Sequence, residues 1–168
     1  MEPAEQVEQA LDKMNIEYQI VHHAVAHTTE EADHFIEGIE GVRTKTMFLT
    51  NKKKKECYLL VMDDAKRLDF RQFEELTGAK RPKMAHDDML KGKLGLEPGI
   101  VSIFGLLNNT EHDVKVYFDS DILSEARMSF HPNINTSTIF VASDDVLKFV
   151  KNLGYEYHIL NLAEDSEY

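Results

Sequence analysis

The chain has 168 residues, of which 42% are hydrophobic and 29% charged; that length fits one domain, and folding buries roughly 70% of the surface of the extended chain, so whole-chain disorder is excluded. Thirty acidic against nineteen basic side chains leave a net charge of −11, which argues against a protein that coats nucleic acid non-specifically. The single Cys57 excludes an internal disulfide and any multi-cysteine zinc or iron–sulfur centre.

Val7, Leu11 and Met14 fall at helical spacing behind Pro3, which suits a first helical turn. Tyr18, Ile20 and Val21 suggest a strand. Thr28 and Glu31 have the spacing of a capping box and predict a short helix to about Ile36, ended by Gly38 and Gly41. Thr46–Leu49 and Cys57–Met62 read as two strands, and the lysines at 52–55 between them predict a hairpin tip. Phe70, Phe73 and Leu76 share a helical face that Gly78 terminates. Met89, Leu90 and Leu94 predict another helix, begun by Asp87 or Asp88. Val114, Val116 and Phe118 alternate as a half-buried strand, and Thr138–Val141 supplies a further one. Ser143 is expected to cap a helix through Val150 that ends at Gly154, followed by a strand over Tyr157–Leu160. Hairpin neighbours and helical crossovers together favour an α+β fold, a mixed sheet with flanking helices, over a regular parallel one. The expected division is one domain over residues 1–162 and an acidic tail over 163–168. No apolar run approaches the ~20 residues that span a bilayer, and Met1–Glu5 lacks the features of a signal peptide, so a cytoplasmic protein without a membrane partner is expected.

Charge is distributed unevenly. Arg43 to Lys93 holds fourteen basic and eight acidic side chains, a net +6, whereas the remainder carries −17. Such polarity directs an anionic partner to one face, although a solvated hairpin and helix surface gives the same count.

No phosphate-binding loop, dinucleotide fingerprint, nucleophile elbow or kinase signature occurs. His22, His23 and His27 lie near Glu30 and Glu31, but their spacing does not place two ligands one turn apart on a helix, and neither metal nor cofactor is expected. Cys57 reads as a buried structural thiol. Three segments carry more information. Gly41–Thr46 brings Lys45 to a strand start, either exposed or aimed into a pocket mouth, where its charge suits a phosphate or a developing oxyanion. Pro98–Gly105 brackets apolar residues and Ser102 between glycines, and is either a bulged buried strand or a backbone cradle for a ligand. Phe130–Ser137 is rich in hydrogen-bonding side chains, and its His131 is either satisfied in a loop or poised to orient a substrate.

In this order and spacing the three segments resemble the YbaK/prolyl-tRNA synthetase-associated editing-domain family, in particular its freestanding Ala-tRNA(Pro) deacylase branch. Supporting stretches are His23-Ala24-Val25, Glu30-Glu31-Ala32, Leu76–Arg81, Leu94–Gly99, Phe104–Asn108 and Phe130–Asn133. The likeness runs to about Leu162. It implies a mixed, mostly antiparallel, barrel-like sheet and an enzyme that hydrolyses the ester of mischarged tRNA, with tRNA as partner, no DNA partner, and prolyl-tRNA synthetase as a candidate associate. The family lysine falls on Lys45, its glycine loop begins at Gly99, and its histidine falls on His131; these three are the implied catalytic set. Thr46, Ile100, Val101, Ser102, Ile103 and Phe104 are the implied substrate-binding residues. Water is the implied nucleophile, assisted by the terminal ribose hydroxyl. Lys80, Arg81 and Lys83 become candidates for tRNA phosphates. The sequence departs from the family twice. Thr46 stands where asparagine is usual and lacks an amide N–H; Ile103 stands where proline is usual and adds an N–H. Two alternatives therefore accompany the Ala-tRNA(Pro) deacylase: a tRNA- or synthetase-binding module without turnover, and a deacylase for cysteine or serine esters.

Overall fold

Six apolar residues in a row, Cys57 to Met62, offer no polar face to water, and the fold buries all of them. The computed structural model describes residues 2–163, apart from the Thr29 side chain; from residue 164 onward the expected tail lies outside the described residues. The elements are α1 (Pro3–Lys13), β1 (Tyr18–His22), α2 (Thr29–Phe35), β2 (Val42–Thr50), β3 (Cys57–Asp63), α3 (Phe70–Thr77), β4 (Lys83–Met84) and α4 (Asp87–Leu94). A 3-10 helix (Ile103–Asn108) follows, then β5 (Val114–Asp119), α5 (Ser120–Leu123), β6 (Arg127–Phe130), β7 (Ser137–Ala142), α6 (Ser143–Asn152) and β8 (Tyr157–Leu160).

The strands form one mixed sheet in the order β1-β7-β6-β2-β3-β5-β8, with β4 added to β2. β1–β7, β2–β3, β2–β4 and β6–β7 are antiparallel, and β2–β6, β3–β5 and β5–β8 are parallel. Among the described residues no pairing joins β1 to β8, so the strand path is open-ended. Alternation along β3 divides the core. Cys57, Leu59 and Val61 pack with α1, α6 and the 3-10 helix, while Tyr58, Leu60 and Met62 pack with Phe73 of α3, Tyr117 and Leu160. Phe73 meets Tyr58 and Tyr117 edge-on at 5.8 and 5.5 Å, the offset that aromatic quadrupoles favour.

Local signals set most element ends. Thr28 Oγ1 accepts the Glu31 N–H at 3.1 Å, while the Glu31 carboxylate reaches the N–H of His27 at 2.8 Å, one residue beyond the usual capping-box partner. Gly78 ends α3 in the left-handed conformation at φ 78°. Three boundaries differ from expectation. His86, not Asp87 or Asp88, precedes α4; the two aspartates occupy its first turn, where they complement the helix dipole. Ser143 is the first residue of α6 and turns its hydroxyl to the Glu125 carbonyl at 2.6 Å. Pro98–Gly105 is neither a bulged strand nor wholly a loop. Ser102 accepts the Phe104 N–H and starts the 3-10 helix, and Gly105 packs so closely that a Cβ there would lie 2.9 Å from Leu96.

Candidate functional site

One edge of β2 pairs with β3 from Thr44 to Thr50. The opposite edge pairs with β6 at Val42 and Arg43 and with β4 at Leu49 and Thr50. Between these, among the described residues, Thr44 to Phe48 has no strand partner, and a cavity of ≈ 260 Å³ opens beside Thr44, Lys45 and Thr46. Ser129, Phe130 and His131 at the end of β6 and Thr138 of β7 face them across the gap. Ala32, Asp33 and Ile36 bring α2 to it, and Met84, Gly99 and Val101 complete the lining. A second hollow of ≈ 380 Å³ shares Gly99 and His131 and adds Ile100 and Asn135, so the two hollows adjoin.

The walls are tied down locally. Arg43 donates to the carbonyls of Ile36, Ile39 and Gly41 at 2.7–2.9 Å, fastening the end of α2 to the start of β2. Gly41 is required beside it, because a Cβ there would lie 2.8 Å from the Phe140 ring. Ser102 donates to Asn133 Oδ1 at 2.9 Å, and Asn133 Nδ2 donates to the Phe104 carbonyl at 3.3 Å. Both side chains are buried, so the Gly99 loop and the His131 loop are joined by satisfied polar contacts. Gly99 sits at φ 88°, a conformation strained for any residue with a Cβ.

The titratable groups are perturbed in ways the geometry explains. Burial pushes the Lys45 ammonium below its ordinary pKa, against the opposing pull of Asp64 and Asp63, and its Nζ donates to the Lys66 carbonyl. Asp64 follows β3 in a turn, with its N–H on the Arg43 carbonyl at 2.8 Å. Its carboxyl meets that of Asp33, and burial first, then Asp33, pushes it up to about 7. His131 is held below its ordinary value by burial, with the Ser137 carbonyl opposing. Its Nδ1 lies 3.4 Å from that carbonyl, which only accepts, so the proton is assigned to Nδ1 and Nε2 is left as an acceptor.

The cavity thus gathers Lys45, Gly99, His131, Thr46 and Val101, while Ile100 lines the adjoining hollow. Ser102, Ile103 and Phe104 lie in the buried layer behind the lining; Ser102 acts there as a tie between loops. Ile103 is fully buried at the first position of the 3-10 helix, so the departure from proline falls outside the cavity wall. Lys80, Arg81 and Lys83 are exposed on the segment around β4. Lys52 donates its N–H to the Lys80 carbonyl at 3.0 Å, which sets the hairpin lysines beside them, and Met84 continues this strip to the cavity. Lys93 is occupied instead by Glu111 at 3.2 Å and Asp113 at 2.5 Å. His22 and His23 meet the hydroxyls of Ser137 and Thr138, each at 2.9 Å, and burial pushes the Cys57 thiol up. Among the described residues no helix is long and apolar enough to cross a membrane. No sequence signal marks Asp33 and Asp64, whose meeting depends on tertiary packing.

The profile of the aminoacyl-tRNA editing domain family matches residues 23–149. The chain belongs to that family. It is 31% identical over 153 residues to the prolyl-tRNA editing protein ProX of Acetoanaerobium sticklandii, covering 90% of this chain and 93% of the relative. It is also 29% identical to prolyl-tRNA synthetase associated domain-containing protein 1 of Bos taurus, with 95% of each chain covered. A crystal structure described as a candidate trans-editing enzyme for prolyl tRNA synthetase superposes with a TM-score of 0.75 at 19% identity, covering 97% of this chain and 99% of that one, a likeness of fold alone. The three segments on which the family resemblance rests are thus walls of one cavity in an editing domain.

Proposed function

We propose that this editing domain works in trans in the cytoplasm, hydrolysing the ester that joins alanine to tRNA(Pro). The carrying observation is the convergence of Lys45, Gly99 and His131 on one ≈ 260 Å³ cavity beside the unpaired edge of β2. A synthetase pocket built for proline rejects a smaller apolar amino acid by only about 1–3 kcal/mol per missing methylene, so a second site that admits the smaller one is needed. In this reading the Lys45 ammonium stabilises charge developing on the ester carbonyl oxygen. The Gly99 loop places its backbone close to the aminoacyl group, and His131, neutral with a free Nε2, orients the substrate. Water is the nucleophile, assisted by the terminal ribose hydroxyl. Lys80, Arg81 and Lys83 meet acceptor-stem phosphates leading into the cavity. The names of the relatives motivate prolyl-tRNA synthetase as a partner.

The test is single-turnover hydrolysis of Ala-tRNA(Pro) beside Pro-tRNA(Pro), with Lys45→Ala as control. Lys45-dependent loss of alanine with proline spared is the expected result; no cleavage by the wild type overturns it. Serine is the second reading, favoured by the hydroxyls of Thr44, Thr46, Ser129 and Thr138 around the cavity. A seryl ester cleaved faster than the alanyl ester at equal enzyme selects it.

A further inference from the structure

Asp33 is the one carboxyl group in the cavity lining. It is partly buried on α2, beside buried Ala32 and one turn before buried Ile36, so the helix presents it within an apolar surface. A carboxylate in such a place calls for a cation, yet among the described residues no lysine, arginine or histidine forms an ion pair with Asp33. Lys45, the cation of the β2 wall, gives one N–H to the Lys66 carbonyl. Behind Asp33 stands the Asp64 carboxyl, whose Oδ2 is the one buried side-chain polar atom without a hydrogen bond among the described residues. Two carboxyl groups in contact need a proton between them. Burial, followed by the Asp33 contact, raises Asp64, so Asp64 is the natural holder of that proton. The Asp33 carboxyl then accepts from Asp64 and stays part of the cavity lining.

We propose that Asp33 recognises the α-ammonium group of the aminoacyl ester, making it a specificity-determining residue that separates amino-acid esters from esters of other small acids. The inference rests on the deacylase reading and deepens it. An alanyl ester brings a methyl group, a reacting carbonyl and one positive charge. The α2 wall offers a small apolar surface for the methyl group beside the carboxylate for the charge. Lys45, on the β2 wall, cannot take the ammonium, because like charges repel. The alanyl group is thus oriented with its carbonyl toward Lys45 and its amine toward Asp33.

The experiment compares alanyl-tRNA with lactyl-tRNA, in which a neutral hydroxyl replaces the α-ammonium at nearly constant shape. The wild type should prefer the alanyl ester by about 10–100-fold in kcat/KM, the range for a hydrogen bond to a charged group. Asp33→Asn should bring that ratio close to one by slowing the alanyl ester alone, and Asp33→Glu should restore part of it. Equal losses on both esters in Asp33→Asn, or an unchanged ratio, would overturn the inference and leave Asp33 a structural role. If the wild type cleaves neither ester, the deacylase reading falls by itself. The ratio is then read as binding of the two 3′-amide analogues by calorimetry, where equal wild-type affinities overturn the Asp33 assignment and a preference lost in Asp33→Asn supports it.

Discussion

Two lysines, joined where the Lys45 ammonium meets the Lys66 carbonyl, face opposite fates. Lys66 is closed: its ammonium meets Asp119 at 2.7 Å, Asp121 at 2.6 Å and the Leu162 carbonyl at 2.9 Å. Burial pulls its pKa down, the two aspartates pull harder, and the net shift is upward. Lys45 is open: burial dominates, its pKa falls, and a single backbone carbonyl holds it at the wall of a cavity. The backbone of Lys66 also supplies that carbonyl, so the closed lysine's turn holds the open one in place. A buried charge with all its partners contributes to the fold; one with unused donors is available to a ligand.

The sharpest way to break this contrast is to remove each charge in turn. Lys66→Met leaves the fully buried Asp119 carboxylate without its ammonium and should lower stability by about 3–5 kcal/mol in urea titration. A loss no larger than that of an average surface change would mean that Lys66 is not a closed site. Lys45→Met should do the reverse, with thermal stability nearly unchanged and kcat/KM for Ala-tRNA(Pro) down about 100–1000-fold. Wild-type turnover would take Lys45 out of the reaction. Gly99→Ala places a Cβ at φ 88° and should cost about 1–2 kcal/mol, read as a lower midpoint of denaturation together with slower deacylation.

A smaller effect separates the sites by pH. The folded Asp64 carboxyl titrates at about 7, pushed there by burial and then by Asp33, whereas an unfolded aspartate titrates at about 3.9. Between those values the folded state holds a proton that the unfolded chain has released. The stabilisation is therefore complete below about pH 4 and is lost as pH rises through about 7. Asp64→Asn, whose amide donates to Asp33 at any pH, should gain melting temperature relative to wild type on going from acid to neutral pH. An unchanged difference between the two melting curves would remove the shared proton. Lys83→Ala should have the least effect, lowering by about 1 the slope of log affinity for tRNA against log salt.

Much of this arrangement was legible in the residues because its causes are local. Thr28 and Glu31 mark the start of α2, Gly78 the end of α3, and the lysines at 52–55 the tip between β2 and β3. Lys45, Gly99 and His131 stood out through the family resemblance. β6 and the two-residue β4 were missed because neither carries enough periodicity to announce itself. The 3-10 helix was missed because a short apolar run reads equally as strand or helix. Asp33 and Asp64 were silent for another reason. One sits on an ordinary polar turn of helix and the other in an acidic turn, and only the Asp64–Arg43 backbone bond and the packing of α2 bring them together.

The split edge of β2 also bears on synthesis of the chain. Its hairpin with β3 needs only the first 63 residues, but the wall opposite Lys45 comes from β6 and β7, with β7 ending at Ala142, and β1 also waits for β7. A nascent chain on the ribosome therefore carries its lysine early and its cavity late. Because such long-range pairing forms slowly, the cavity is completed only when most of the protein has emerged.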